Sequence, residues 1–308
     1  MTSLVLASVL LALLCLSCSN TADRPPSNMA AAREAKKELK ELRADIKKIE
    51  PFFKPMGKPA TSDWLASHNE PGQTFEEYLD SNPTRPTTHR QKIYVLPLGS
   101  LDAKQRRNIS VTADYLAAFF DLPVEQLPAR KIEPPLAQLR YNRTAKNRQI
   151  KTGYILNDVL KPLLPPDAAA LIALTSEDLY PDQSMNYVFG QASLEDRVGV
   201  WSLDRLDDNT DDHGFLLRTL KIAAHETGHM FSMRHCTKYM CLMSGTNHLA
   251  ETDSHPVDTC PECMAKISWM SDIVPAERYR ALETFCRKNR LVKEADEFKA
   301  KIKALESK

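Results

Sequence analysis

His225-Glu226-Thr227-Gly228-His229-Met230-Phe231-Ser232-Met233-Arg234-His235-Cys236, followed by Cys241, Met243 and Cys260-Pro261-Glu262-Cys263, concentrates the candidate metal ligands of this chain. Histidines at i and i+4 of a helix project from one face, close enough to hold a single ion through their imidazole nitrogens. Glu226 lies between His225 and His229, rotated to reach a water on that ion rather than the ion itself, which is the place of a general base. A continuous helix would swing His235 well off the ligand face, so the helix must end before it if His235 is the third ligand. Three histidines leave a fourth position open, as catalytic zinc sites do and structural ones do not.

The chain has 7 Cys, at 15, 18, 236, 241, 260, 263 and 286. Four of them form two close pairs, Cys236-x4-Cys241 and Cys260-x2-Cys263, separated by a loop. That spacing predicts four thiolates around a second, structural zinc. In an exported protein the same pairs could instead oxidise to disulfides. His235 and Cys236 are neighbours, so a zinc on the cysteines would pin the backbone that presents the third histidine.

Working outward, a long helix is predicted to begin near His213, with Asp211 or Asp212 as its N-cap. Leu217, Leu220, Ala224, Gly228 and Phe231 fall on one arc that should face the core, Gly228 permitting close approach. Met243 taken by itself reads as a core residue, as most methionines are. The acidic run Asp207 to Asp212 is read as a loop and helix cap. His213 and His255 are expected to face solvent, and His248 to be a surface or supporting residue. Upstream, strands are predicted at 93–99, 168–175, 185–193 and 197–203. Helices are predicted at 102–120, with Tyr115, Leu116, Phe119 and Phe120 inward, and at 150–164. Arg140, Arg143 and Arg148 read as a solvated face. Residues 275–306 form a helical block with a Phe298, Ile302, Leu305 stripe, and Cys286 is expected to be buried. The order predicts an α/β (α+β) domain around one mixed sheet.

The full chain has 308 residues and a formal net charge of +1, so no electrostatic argument favours a nucleic-acid partner. Leu4 to Leu16 has the length of a signal-peptide core and is too short to span a bilayer comfortably. Residues 1–17 are therefore expected to be a signal peptide. Cys15-Leu16-Ser17-Cys18 resembles a lipoprotein box, which would attach the protein to a membrane through a lipidated Cys18. The Met1-Thr2-Ser3 start lacks Lys or Arg, and Cys15 stands where Leu is usual. Export to the cell envelope or secretion follows from this reading. Residues 18–29 read as a tether, and 30–90 as an N-terminal extension. That extension comprises a charged helix at 30–49, striped by Ala35, Leu39, Leu42, Ile46 and Ile49, and an irregular stretch anchored by Trp64 and Phe75. Residues 91–308 form the main domain.

The segment HETGHMFSMRHCTKYMCLMSGTNHL with its CPEC knuckle resembles the archaemetzincin family of the metzincin clan. The likeness extends through IYVLPLG, DLYPDQSMNYVFGQAS, GVWSLDRL and WLASHNEPGQTFEEYL, about residues 62 to 270. It implies a metzincin-like mixed sheet with an active-site helix, a four-cysteine zinc subsite and an edge strand that can receive extended substrate. It implies a zinc peptidase of aminopeptidase-like activity on peptides or proteins; the chain itself is expected to be a monomer. His225, His229 and His235 would hold a catalytic zinc and Glu226 would be the general base. Met243 would be the Met-turn residue, and Cys236, Cys241, Cys260 and Cys263 would hold the second zinc. One departure matters. The clan pattern HExxHxxGxxH has Gly where this chain has Ser232. Serine in a left-handed conformation costs roughly 1 kcal/mol, small beside zinc-binding energies of about 10 kcal/mol. If the site has decayed, the alternative is a two-zinc module that binds a peptide or partner without cutting it. A third reading, a closed structural site, needs a fourth protein ligand that the sequence does not offer.

Overall fold

The run Ala168–Thr175 is apolar, and all eight of its residues are buried, the pattern of a strand covered on both faces. In the computed structural model, which describes residues 28–193 and 195–307, this run is the central strand of a mixed sheet. The strands in chain order are β1 (Lys92–Leu98), β2 (Val124–Gln126), β3 (Leu139–Asn142), β4 (Asn147–Lys151), β5 (Ala168–Thr175), β6 (Asp178–Tyr180), β7 (Gly190–Ala192) and β8 (Val198–Ser202). The main sheet has the order β2-β1-β5-β8-β7. Its first four strands are parallel, and β7 runs antiparallel to β8 at one edge.

The helices are α1 (Asn28–Ile49), α2 (Trp64–Ser67), α3 (Phe75–Asp80), α4 (Ala103–Phe120), α5 (Thr152–Tyr154), α6 (Asp212–Met230), α7 (Leu249–Ser254), α8 (Pro261–Ser271), α9 (Pro275–Lys288) and α10 (Val292–Glu306). The described residues up to Lys40 and those from Glu41 onward form two compact units, and the functional site lies within the second. No helix among the described residues is long and apolar enough to cross a membrane. The expected signal peptide 1–17, Cys18 and the tether as far as residue 27 lie outside the described residues.

Strand alternation sorts the main sheet into two faces. On one, Tyr94, Leu96, Leu98, Leu171, Ala173, Val198 and Val200 pack against Ile155, Leu156 and Leu160. α4 and α6 pack on the sheet as well, and α9 packs on α4. α4 starts with a capping box, in which Asp102 accepts from Gln105 N and the Gln105 side chain accepts from Asp102 N. Tyr115, Leu116, Phe119 and Phe120 are all buried, as their spacing predicts. α6 is capped by Asp211, whose carboxylate accepts from Gly214 N.

Several boundaries differ from the sequence expectation. Asn28 and Met29 belong to α1 rather than to the tether. The helix expected at 150–164 begins only at Thr152, because Asn147–Lys151 is β4; it then continues as a π-helical turn, Ile155–Leu160, and a 3-10 turn, Lys161–Leu163. The strand expected at 185–193 is reduced to β7. Strands β3, β4 and β6 form a second sheet that the sequence did not suggest. Arg140 is not a solvated residue there. It donates to the carbonyls of Met185 and Asn186 at 2.7 and 2.6 Å, and its guanidinium lies 4.1 Å from the Tyr180 ring centroid. The C-terminal block is two helices, turned at Arg290 (φ 60), where Leu291 N donates back to Cys286 O.

Candidate metal centre

α6 ends at Met230, so His225 and His229 share its last two turns and His235 lies beyond it. The three imidazoles each offer one ring nitrogen within 4.8 Å of the others. His225 Nδ1 donates to Leu242 O at 2.9 Å and His229 Nδ1 to Met233 O at 2.6 Å. Both rings are thereby fixed with Nε2 unprotonated and facing inward, and the two Nε2 atoms are 2.9 Å apart. Two nitrogens about 2.0–2.1 Å from one tetrahedral ion lie roughly 3.3 Å apart, so the pair is close to ligating geometry. Burial, followed by the neighbouring imidazoles, lowers His225 well below the ordinary histidine range and His229 to about 4. Both are therefore neutral, the form that ligates.

His235 is reached through a tight turn. Ser232 adopts φ 62, so the left-handed conformation that the clan's glycine serves is kept by a serine. Residues of the N-terminal extension surround this turn. Tyr78 OH donates to Phe231 O, Gln73 Nε2 to Ser232 O, and Thr84 N to Ser232 Oγ, at 2.9, 3.3 and 3.0 Å. The Glu70 carboxylate accepts from His235 Nδ1 at 2.9 Å. The Trp64 ring stands edge-on to the His235 imidazole, centroids 5.3 Å apart. Inspection of the histidine motif alone misses Glu70 and Gln73. The signal that could have found them is the likeness of the otherwise irregular segment WLASHNEPGQTFEEYL, which contains both.

Cys236, Cys241, Cys260 and Cys263 are buried and free, with sulfurs within 4.8 Å of one another. Cys236 and Cys260 have Sγ atoms 3.6 Å apart, far beyond a disulfide and near the roughly 3.8 Å of two sulfurs sharing one tetrahedral zinc. Met243 N and Cys260 N donate to Cys241 Sγ. Hydrogen bonds from the other three thiols push the Cys236 thiol far down, while burial pushes Cys241 and Cys260 up. Four sulfurs gathered this closely are compatible with a metal site. Cys236 N donates to Met243 O at 2.8 Å, which ties the residue after His235 to the turn beneath the helix. Met243 is fully buried. A Cβ on Gly228 would lie 2.6 Å from its sulfur, so this glycine sets the approach of helix to turn. On the far side of the cysteines, Asp258 is buried against Arg278 Nη1 at 3.2 Å and Lys301 Nζ at 3.0 Å. Burial alone would raise its carboxyl, but Lys301 and Arg278 hold it below the usual range.

The imidazoles open onto a cleft of about 290 Å³, lined among others by Tyr187, Val188, Phe189, Gly190, Thr246 and Pro256. Glu226 lies on its floor, 9% exposed. A Cβ on Gly190 would come within 3.0 Å of the Glu226 Cδ, so edge strand β7 passes directly over this carboxyl. Burial raises the Glu226 carboxyl to about 8. His255, expected at the surface, is buried at 7% exposure and lines the same cleft. His213 is exposed as expected. His248 caps α7, its Nδ1 accepting from Glu251 N. Asp63 and Glu251 lie beside it, but both already accept from backbone N–H groups, Asp63 from Ala60 and Glu251 from Trp64 and Asn247.

A His-Glu-x-x-His helix on the floor of a cleft, overhung by an antiparallel edge strand, defines a metallopeptidase. The model of Peptidase family M54 matches residues 158–269. The chain is 35% identical over 269 residues to archaemetzincin-2 of Pongo abelii, covering 75% of this chain and 74% of that one. It is 33% identical over 178 residues to the archaemetzincin of Archaeoglobus fulgidus, covering 58% of this chain and 99% of that one. The crystal structure of the archaemetzincin from Methanopyrus kandleri matches with a TM-score of 0.51 at 25% identity, covering 61% of this chain and 99% of that one. The chain belongs to the archaemetzincin family of zinc metallopeptidases.

Proposed function

We propose that His225, His229 and His235 hold the catalytic zinc of this peptidase and that Glu226 is its general base. Cys236, Cys241, Cys260 and Cys263 hold a second zinc that is structural. The observation that carries this reading is the convergence of three ring nitrogens beside a buried carboxyl in an open cleft. The donor sets suit the metal: imidazoles for an ion that keeps an open position, and four thiolates for a closed one. When bound at the histidines, zinc polarises the scissile carbonyl, acidifies water and, as a nearby positive charge, favours the ionised form of Glu226.

Glu226 then accepts the proton of the attacking water on a carboxylate oxygen and passes it to the departing nitrogen. A carboxyl raised by burial toward neutral pH suits both halves of that transfer. The peptide lies extended along β7, whose outer edge can add main-chain hydrogen bonds as a further strand. Gly190 offers no side chain where the strand passes over Glu226. The aminopeptidase-like part of the reading is supported by the family likeness. The left-handed turn kept at Ser232 supports this reading over a non-cutting module.

Glu226→Gln should keep both zinc ions and lose about 10²-fold or more of peptide turnover. Turnover of a peptide library by the zinc-loaded protein, with products read by mass spectrometry, tests both parts. Full activity in the variant would refute the base assignment, and internal fragments in place of N-terminal trimming would refute aminopeptidase action.

A further inference from the structure

Glu70 lies 165 residues before His235, yet both of its carboxylate oxygens sit on His235 Nδ1, at 3.1 and 2.9 Å. We propose that Glu70 is a positioning residue of the metal centre. Its carboxylate fixes the ring of the third histidine, and its segment, residues 70–84, clasps the turn that presents that ring. The inference rests on the reading of His235 as a zinc ligand.

His225 and His229 are rigid by descent from α6, and each is further held by a carbonyl from the same stretch of chain. His235 has no such support. It follows the helix in a segment without regular structure. A carboxylate on Nδ1 supplies what the helix does not. It selects the tautomer with Nε2 free and sets the ring's orientation.

The rest of the segment acts on the backbone just before the ring. Gln73 spans the turn, its Oε1 accepting from Arg234 N at 3.1 Å while its Nε2 donates to Ser232 O. Gln73 is itself anchored, because the buried Lys266 ammonium donates to its backbone carbonyl at 2.6 Å. Gly72 (φ 75) lets the segment approach so closely that a Cβ there would meet Thr237 Oγ1. Together with Tyr78 and Thr84, these residues bond the chain at Phe231, Ser232, Arg234 and His235. Packing alone does not require a charged group aimed at the one imidazole that lies off the helix.

The test uses the full chain with Glu70→Ala, Glu70→Gln, Glu70→Asp and His235→Ala, and the double variant Glu70→Ala/His235→Ala. Zinc affinity at each site is read by chelator competition, and the two sites are told apart by the absorption spectra of cobalt-loaded protein. Glu70→Ala should weaken the histidine site by about 10- to 100-fold and perturb its cobalt spectrum, with the four-cysteine site unchanged. Glu70→Asp should recover part of the loss. Glu70→Ala should add nothing once His235 is gone. Unchanged affinity in Glu70→Ala, or an equal loss with and without His235, would overturn the proposal. If Glu70→Ala fails to fold, Glu70→Leu, close to Glu in size and without an acceptor oxygen, carries the same comparison, whereas Glu70→Gln, which keeps an acceptor, should lose less. Unchanged zinc binding in His235→Ala is a different result, because it overturns the ligand assignment itself and the inference with it.

Discussion

Ser232 occupies a backbone conformation that glycine adopts without strain. Its φ of 62 costs a serine roughly 1 kcal/mol. In return the hydroxyl oxygen accepts from Thr84 N at 3.0 Å, a bond worth about 0.5–1.5 kcal/mol net. The two nearly cancel. Ser232→Gly should therefore shift unfolding free energy by less than about 1 kcal/mol in urea titration and leave zinc content unchanged. A large loss would mean that the hydroxyl does more than replace the glycine. The convergence of His225, His229 and His235 was legible in the sequence because it follows from short local spacing. Glu70 and Gln73 were not, because their partners lie 165 and 161 residues away. His255 was misread because a lone histidine carries no local sign of the loops that bury it.

At the scale of elements, α4 and the start of α6 were legible to within a residue or two because period and caps agree. β3, β4 and β6 have three to five residues each and little alternation, so only their mutual pairing makes them strands. The cysteine knuckle belongs to this scale too. It joins the start of α8 to the residue after His235, and Cys236 N is bonded to Met243 O. Cys260→Ser should lower zinc content by one ion per chain. It should also cut peptide turnover at saturating zinc, roughly tenfold or more, although no histidine is touched. Metal analysis after gel filtration, paired with a peptide assay, checks this. Undiminished turnover with one ion lost would show that the knuckle does not position His235.

For the whole molecule, the groups buried uncharged set the acid limit. His255 has its imidazole lowered to about 4, first by burial and then by Lys221. Between the unfolded value of about 6.5 and this folded value the unfolded chain binds the extra proton. The associated stability is present above 6.5, is lost as pH falls toward 4, and changes no further below that. The shift corresponds to up to about 3 kcal/mol. His255→Gln should flatten the fall in melting temperature between pH 6.5 and 4 relative to the parent chain, measured by calorimetry in the same buffers. A parallel pH dependence in both proteins would show that His255 does not govern this limit. The buried Asp258 carries a consequence of another kind. Its carboxylate meets Arg278 20 residues later and Lys301 43 residues later, and a buried charge without its partners is strongly unfavourable. As the polypeptide leaves the ribosome, the cysteine pair beside Asp258 emerges well before the cations that make its neighbourhood habitable. Until α10 has been made, the Asp258 carboxylate lacks Lys301 to offset its burial, so the packing beside Cys260 is completed only with the C-terminal helix in place.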